Sequence, residues 1–251
     1  MYTTCPKCSY ERSDSDKSSK DECPQCGLIF SKWLRGLVEE SEMAALEEQA
    51  PASSNFVESL ARFFVSPRAG VGKPELFGYL ILWLVFAWWG FGFIMMDFQS
   101  NEIGRSWFHN VDLIFHEAGH MLFIPFGRTM TILGGSLFQI LLPLILMRAF
   151  LIKNKDGFGA SISLWWVGQS TMDIAPYIAD ARALRLPLLG GGTGADSPGR
   201  HDWENLLRHW GLLEYDTDIA FVVDAVGSGV LLIALAWGAY MLLIYYRNLI
   251  D

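Results

Sequence analysis

The chain has 251 residues, of which 51 % are hydrophobic and only 18 % are charged, and its net charge is -8. A soluble domain ordinarily carries about 25 % charged residues, and a nucleic-acid-binding domain is ordinarily basic. The composition therefore argues against a nucleic-acid partner. It predicts a mainly α-helical protein that crosses the membrane lipid bilayer several times and carries a small polar appendage.

Polar and apolar residues are separated along the chain. We expect a zinc-ribbon-like head at 1–36, an acidic and amphipathic linker at 37–75 and a membrane domain at 76–251. The first residues, MYTTCPKCSYERSD, lack the basic stretch and apolar core of a signal peptide, so we expect none.

All four cysteines of the chain lie in the head, as two C-x2-C pairs separated by fourteen residues. Each pair places two thiolates at a tight turn, and two such turns can close a tetrahedral zinc site. The alternative is a pair of disulfides in an exported head. We expect one structural zinc ion here, in a module that recruits a protein partner. Its ligands would be Cys5, Cys8, Cys23 and Cys26.

Five segments of the membrane domain are expected to cross the bilayer as helices. Four of them are long and apolar: 76–96, 131–150, 158–179 and 219–246. The remaining segment, 111–127, carries several ionisable residues, which are costly in lipid and therefore indicate function. Lysine and arginine near the span ends favour a cytoplasmic N-terminus. We expect an integral protein of the bacterial inner (cytoplasmic) membrane.

The ionisable residues of the segment 111–127 include the sequence His-Glu-Ala-Gly-His at residues 116–120. On a helix, His116 and His120 share one face and can bind one zinc ion. Glu117 can take a proton from a zinc-activated water and pass it to a leaving amine. Asp112, one turn earlier, could orient an imidazole. The pattern predicts a zinc hydrolase with Glu117 as general base. The alternative is two interfacial histidines beside a glutamate that points to a lipid headgroup.

The stretch HEAGHMLFIPFGRTMTILGGS, residues 116–136, resembles the site-2 protease family of intramembrane zinc metalloproteases. In that family an H-E-x-G-H span is followed by a Gly-Gly pair that opens the next span, and Gly134 and Gly135 match this pair. The resemblance covers roughly residues 112–181. It implies one buried catalytic zinc and hydrolysis of a membrane-protein or peptide substrate in or near the bilayer.

The resemblance also implies an aspartate from a later span as the third zinc ligand. Asp180 has a comparable position after Pro176, although the family's asparagine is absent and Ala181 replaces its glycine. Asp173 lies deeper in the apolar run, where a carboxylate needs a cation or a metal. His201, in a loop, is a third candidate.

Other residues near these motifs could position substrate or orient the ligands. Asp202 precedes the helical pattern of residues 203–210 and is interpreted as a helix cap. The candidates for positioning roles are Asp112, Gly134, Gly135, Asp173, His201 and Asp202.

Two further functions remain open from the sequence. The protein could be a non-proteolytic membrane zinc protein that uses its ribbon to recruit a partner. It could also be a membrane-anchored zincin with a water-facing site and a glutamate as third ligand, for which the glutamates after the second span are Glu204, next to the His-Asp-Trp segment, and Glu214. We expect two zinc ions per chain, one structural and one catalytic.

Overall fold

The computed structural model describes residues 3–13, 15–16, 18–38, 63–65, 67–68 and 70–250. The chain divides into two compact units, Met1–Leu60 and Ala61–Asp251. Most of the linker expected at 37–75 lies outside the described residues.

The first unit contains two copies of one tight turn. Ser9 donates its backbone N–H to the carbonyl of Cys5 at 2.9 Å, and Gly27 donates to Cys23 at 3.0 Å. Ser9 and Gly27 both have a left-handed backbone, with φ of 58° and 69°. Glycine adopts this conformation without steric cost, whereas serine does so less readily. A helix, α1, follows at 30–38, and Phe30 packs against the cysteine side chains.

The described part of the second unit is helical. Its helices are α2 Lys73–Ile94, α3 Trp107–Leu122, α4 Arg128–Ala149, α5 Gly157–Ala179, α6 Asp202–Trp210 and α7 Asp216–Ile250. Helix α5 is central and packs mainly on α7 and α4, and α3 packs mainly on α4. A long loop, residues 180–201, joins α5 to α6.

Three helical segments in the described part of the chain are long and apolar enough to cross a membrane: Lys73–Ile94, Arg128–Asn154 and Leu213–Ile250. They present large apolar side chains to the outside, for example Trp88 of α2 and Ile233 of α7. The expected spans 76–96, 131–150 and 219–246 coincide with these segments. The chain thus has the helices of a membrane protein.

The other two expected spans, 111–127 and 158–179, are not among these three. Helix α3 has 16 residues, which corresponds to about 24 Å and is shorter than the roughly 30 Å hydrocarbon core. Helix α5 has 23 residues, most of them buried within the protein, including Ser161, Gln169 and Asp173. The number of spans expected from the sequence is therefore not confirmed.

Two glycines let α3 and α4 approach closely. A Cβ atom at Gly119 would clash with the carbonyl group of Gly134, and one at Gly134 would lie 2.7 Å from Cβ of Phe123. Small residues at a helix crossing allow such backbone contact. The crossing brings the start of α4 against the face of α3 that carries His116 and His120.

Candidate metal centres

The four cysteines of the head converge on one point. The sulfur atoms of Cys5 and Cys26 are 3.8 Å apart, and those of Cys8 and Cys23 are 3.6 Å apart. All four cysteines are free thiols, and their sulfurs form a group that could hold a metal ion. Tetrahedral zinc with bonds of about 2.3 Å requires sulfur separations of about 3.8 Å. The head therefore has the geometry of a four-cysteine metal site.

A second group that could hold a metal ion lies in the helical unit and consists of His116, His120 and Asp202. Oδ2 of Asp202 lies 3.3 Å from Nε2 of His116 and 3.2 Å from Nε2 of His120. A tetrahedral zinc ion with N and O ligands at about 2.0–2.1 Å holds them about 3.3 Å apart. The donor set and its spacing therefore fit zinc.

The outer nitrogens of the two imidazoles are both engaged. Nδ1 of His120 lies 2.8 Å from the backbone carbonyl of Thr131, and Nδ1 of His116 lies 3.2 Å from Oε1 of Gln139. Because both oxygens can only accept, each Nδ1 carries the hydrogen. In the neutral tautomer each Nε2 then offers a lone pair beside the Asp202 carboxylate, which is the arrangement that a bound cation requires.

Gly135 keeps space open at the same place. A Cβ atom at this position would lie 2.6 Å from Nε2 of His116 and 2.7 Å from Nε2 of His120. Any larger residue would fill the space between the Nε2 atoms of His116 and His120. This supplies a local reason for the second glycine of the Gly134-Gly135 pair.

Helix α6 brings Asp202 to the histidines. Its first turn is tied to α4, because the indole N–H of Trp203 donates to Oγ of Ser136 at 3.1 Å. The same turn is tied to α5, because the backbone N–H of Asp202 donates to the hydroxyl of Tyr177 at 3.0 Å. The sequence interpretation of Asp202 as a helix cap is corrected: the cap is His201, whose Nδ1 accepts the N–H of Glu204 at 3.1 Å.

The expected third ligand, Asp180, lies outside the histidine group. Its carboxylate oxygens accept the backbone N–H groups of Arg185 and Leu186, both at 2.9 Å, which folds the following loop back onto the end of α5. Burial alone would raise the pKa of Asp180. The contact with His201 and the two N–H donors outweigh burial, so its pKa lies below the usual value. Asp202 replaces Asp180 in the candidate ligand set.

His201, the third candidate from the sequence, is also not brought to the histidine group. Its side chain is fully buried, with Nδ1 used for the α6 cap and Nε2 facing Oδ2 of Asp180 at 3.4 Å. Asp180 and His201 thus join the two ends of the loop, and this places the neighbouring Asp202.

Asp173 and Asp112 likewise accept hydrogen bonds from other side chains and are not part of the histidine group. Asp173 accepts from Nδ1 of His109 at 3.0 Å and from Nε2 of Gln139 at 3.0 Å. Oδ1 of Asp112 accepts from Nε1 of Trp166 at 2.8 Å and from Ser170 at 3.0 Å, both on α5. Asp112 therefore ties α3 to α5, and the expectation that it orients an imidazole is corrected.

A cavity of about 490 Å³ opens beside the histidine group. Its walls include Glu117 and Tyr177, together with the loop segment 186–189 and Arg200. Glu204, the ligand considered for a water-facing zincin, instead accepts from Arg208 at 2.8 Å and is not part of the histidine group. Glu117, Tyr177 and the candidate metal ligands therefore border one cavity.

The comparisons with known proteins return nothing: no protein-family model, no curated protein and no solved structure matches this chain.

Proposed function

We propose that this protein is an integral membrane zinc metalloprotease that hydrolyses peptide bonds in or near the bilayer. The observation that carries the proposal is the convergence of Asp202 on the Nε2 atoms of His116 and His120, with Glu117 on the wall of the same cavity. A purely structural metal site would have no need of a carboxylate base beside an accessible cavity.

His116, His120 and Asp202 would hold the catalytic zinc as three protein ligands. Three ligands leave a position for water or substrate, in contrast to the closed four-cysteine site of the head. When bound, zinc makes water a nucleophile near neutral pH and polarises the carbonyl oxygen of the scissile bond.

Glu117 is the proposed general base and acid. It follows the candidate ligand His116 directly in the helix, and it lines the cavity. It takes a proton from the attacking water and returns it to the nitrogen of the leaving amine. Tyr177 supplies a hydroxyl on the same cavity wall. This oxygen already accepts from the N–H of Asp202, so its own hydrogen is available to a substrate carbonyl.

The site is proposed to lie at membrane depth. Helix α3 carries His116, Glu117 and His120, and α5 carries Asp173. The three apolar spans pack around these two helices, which would bring the number of membrane helices to five. Polar groups at this depth are tolerated when they face protein or a water-filled cavity. Lysine and arginine near the span ends favour a cytoplasmic head, and we propose the bacterial inner membrane as the location.

The head is proposed to bind a second, structural zinc ion and to recruit a protein partner. Its four thiolates leave no open coordination position. It would therefore contribute to binding rather than to hydrolysis.

The test uses the full chain reconstituted in liposomes with a mixture of synthetic apolar peptides, each long enough to span the bilayer. Wild-type protein and Glu117→Gln are compared in water enriched in ¹⁸O, and products are read by mass spectrometry. We expect wild type to yield fragments with ¹⁸O in the new carboxylate. Glu117→Gln should lose at least about 100-fold in rate, while it keeps two zinc ions.

The control variant is Glu204→Gln, which changes a glutamate engaged with Arg208 and should cleave as wild type does. Equal cleavage by wild type and Glu117→Gln would contradict the proposal. Metal-loaded wild type that cleaves no peptide would favour a non-proteolytic membrane zinc protein.

A further inference from the structure

We propose that Gln139, Asp173 and His109 form a positioning relay that holds His116 in the tautomer able to bind metal. The three residues come from α4, α5 and α3, and successive hydrogen bonds join them to His116. The inference rests on the metal-binding part of the proposed function and is independent of proteolysis.

Gln139 is the centre of the relay. Its side chain is almost fully buried, and its amide nitrogen donates to the carbonyl of Ser170 at 3.3 Å and to Asp173 at 3.0 Å. Both partners can only accept, so they fix which end of the amide is nitrogen. The oxygen then faces Nδ1 of His116 at 3.2 Å and accepts its hydrogen.

Asp173 holds the amide in this orientation. Its side chain is only 4 % exposed, and a buried carboxylate is costly without donors. Gln139 supplies one donor and His109 the other, with Nδ1 of His109 at 3.0 and 3.1 Å from the two carboxylate oxygens. The carboxylate has no hydrogen to donate to the amide oxygen of Gln139, and this opposes a flip of the amide.

His109 closes the relay at the cavity. It precedes His116 by two helical turns on the same face of α3, and its side chain is 33 % exposed and lines the cavity beside the candidate metal site. Its contact with Asp173 gives the buried carboxylate a partner that can carry charge.

The relay selects one of two tautomers of His116. A neutral imidazole carries its hydrogen on Nδ1 or Nε2, and the partner of one nitrogen decides which. With a hydrogen on Nε2, His116 could not bind a metal beside Asp202. Loss of a hydrogen-bonding partner behind a metal-bound histidine typically weakens metal binding by about 10- to 100-fold.

The test compares two substitutions of similar size, Gln139→Leu and Gln139→Glu, in the full chain. Leucine removes the acceptor behind His116, whereas glutamate keeps one. Zinc affinity is measured by competition with a chelator, and cobalt substitution distinguishes the two sites because only the head gives thiolate-to-cobalt absorption. We expect Gln139→Leu to bind zinc about 10- to 100-fold more weakly at the histidine site. Gln139→Glu keeps an acceptor behind His116 but loses the donor to Asp173, so it should bind zinc more tightly than Gln139→Leu and more weakly than wild type.

The four-cysteine site is the internal control and should keep its affinity in both variants. A general loss of folding would reduce both sites and the helical signal of the metal-free protein together. Equal zinc affinity of Gln139→Leu and wild type overturns the relay, as does an equal loss in Gln139→Leu and Gln139→Glu.

A second pair of variants tests the far end of the relay. His109→Leu removes the donor to Asp173, and His109→Gln restores an N–H donor. We expect a drop in zinc affinity for the leucine variant and recovery with glutamine. If the two variants bind zinc equally, His109 is not part of the relay. Because zinc alone is the probe, these results stand whether or not Glu117→Gln abolishes peptide cleavage.

Discussion

Gly135 of α4 lies directly against His116 of α3, so close that a Cβ atom on Gly135 would be 2.6 Å from Nε2 of His116. The same added atom would lie 2.7 Å from Nε2 of His120. We therefore predict that Gly135→Ala blocks metal binding at the histidine site. Metal counting should give one zinc ion per chain in this variant and two in wild type.

Gly229→Ala is the matched control for this substitution. Gly229 also lies in a long helix, and nothing lies within 4 Å of its added Cβ atom. It should keep both metal ions. A Gly135→Ala protein that retains two zinc ions with wild-type affinity would show that the position between the imidazoles is not the metal position.

The proposed ligand role of Asp202 predicts a difference between two aspartates. Asp202→Asn replaces a charged ligand by a weakly binding amide, so zinc should no longer raise the thermal unfolding temperature through the histidine site. Asp180→Asn disturbs the loop but removes no ligand, and zinc should still stabilise it. The shift in thermal unfolding temperature on adding zinc is measured in detergent for each variant. The head site is saturated with zinc both before and after the addition. If zinc stabilised Asp202→Asn but not Asp180→Asn, then Asp180 rather than Asp202 would be the ligand.

The close crossing of α3 and α4 predicts a packing defect in Gly119→Ala. The added methyl group would meet the carbonyl of Gly134, and backbone cannot move aside as a flexible side chain does. We expect a loss of about 1–3 kcal/mol in the free energy of unfolding. The comparison is made without metal, so that only packing contributes, and Gly229→Ala again serves as control. Unchanged stability of Gly119→Ala would contradict the crossing.

The head site predicts a local effect of Cys23→Ser. Cys23 is buried among the other cysteines, and a small unit with little core depends on its metal for folding. The variant should lose one zinc ion, and limited proteolysis should cut within the head. The unfolding of the helical unit and its metal site should remain as in wild type. If Cys23→Ser lost both metal ions, the two metal sites would not be independent.

Local patterns in the sequence were enough to predict the three apolar spans and the two metal motifs. The spacing within His116–His120 and within each C-x2-C pair fixes geometry over a single turn, so tertiary structure is not needed to read it. The glycine pair at 134–135 was expected to matter near the site. The structure adds that Gly134 allows the helix crossing and that Gly135 leaves room beside the imidazoles.

The candidate third ligand, Asp202, could not be predicted in the same way. Asp202 is separated from His120 by two helices and the loop 180–201, and no spacing rule spans such a connection. The signal present in the sequence was His-Asp-Trp after a glycine-rich stretch. Its meaning depends on tertiary contacts: Trp203 reaches Ser136 of α4, and His201 reaches Asp180.

Gln139 and His109 were missed for a related reason. Each lies outside the His-Glu-Ala-Gly-His motif, and neither residue type is diagnostic alone. Gln139 follows Gly135 by one turn on α4, and His109 precedes His116 by two turns on α3. Helical spacing from the recognised motifs could have flagged both residues, whereas their connection through Asp173 required α5 to be placed.

The central claim is a zinc ion held by two imidazoles and one carboxylate, and X-ray absorption at the zinc edge tests it most directly. The measurement uses the full chain with all four cysteines replaced by serine, so that only the histidine site contributes. We predict one zinc ion with N and O ligands at about 2.0–2.1 Å and an imidazole signature from two rings. The imidazole signature should disappear in His116→Ala/His120→Ala. A cysteine-free chain that binds no zinc, or zinc without imidazole ligands, would contradict the account.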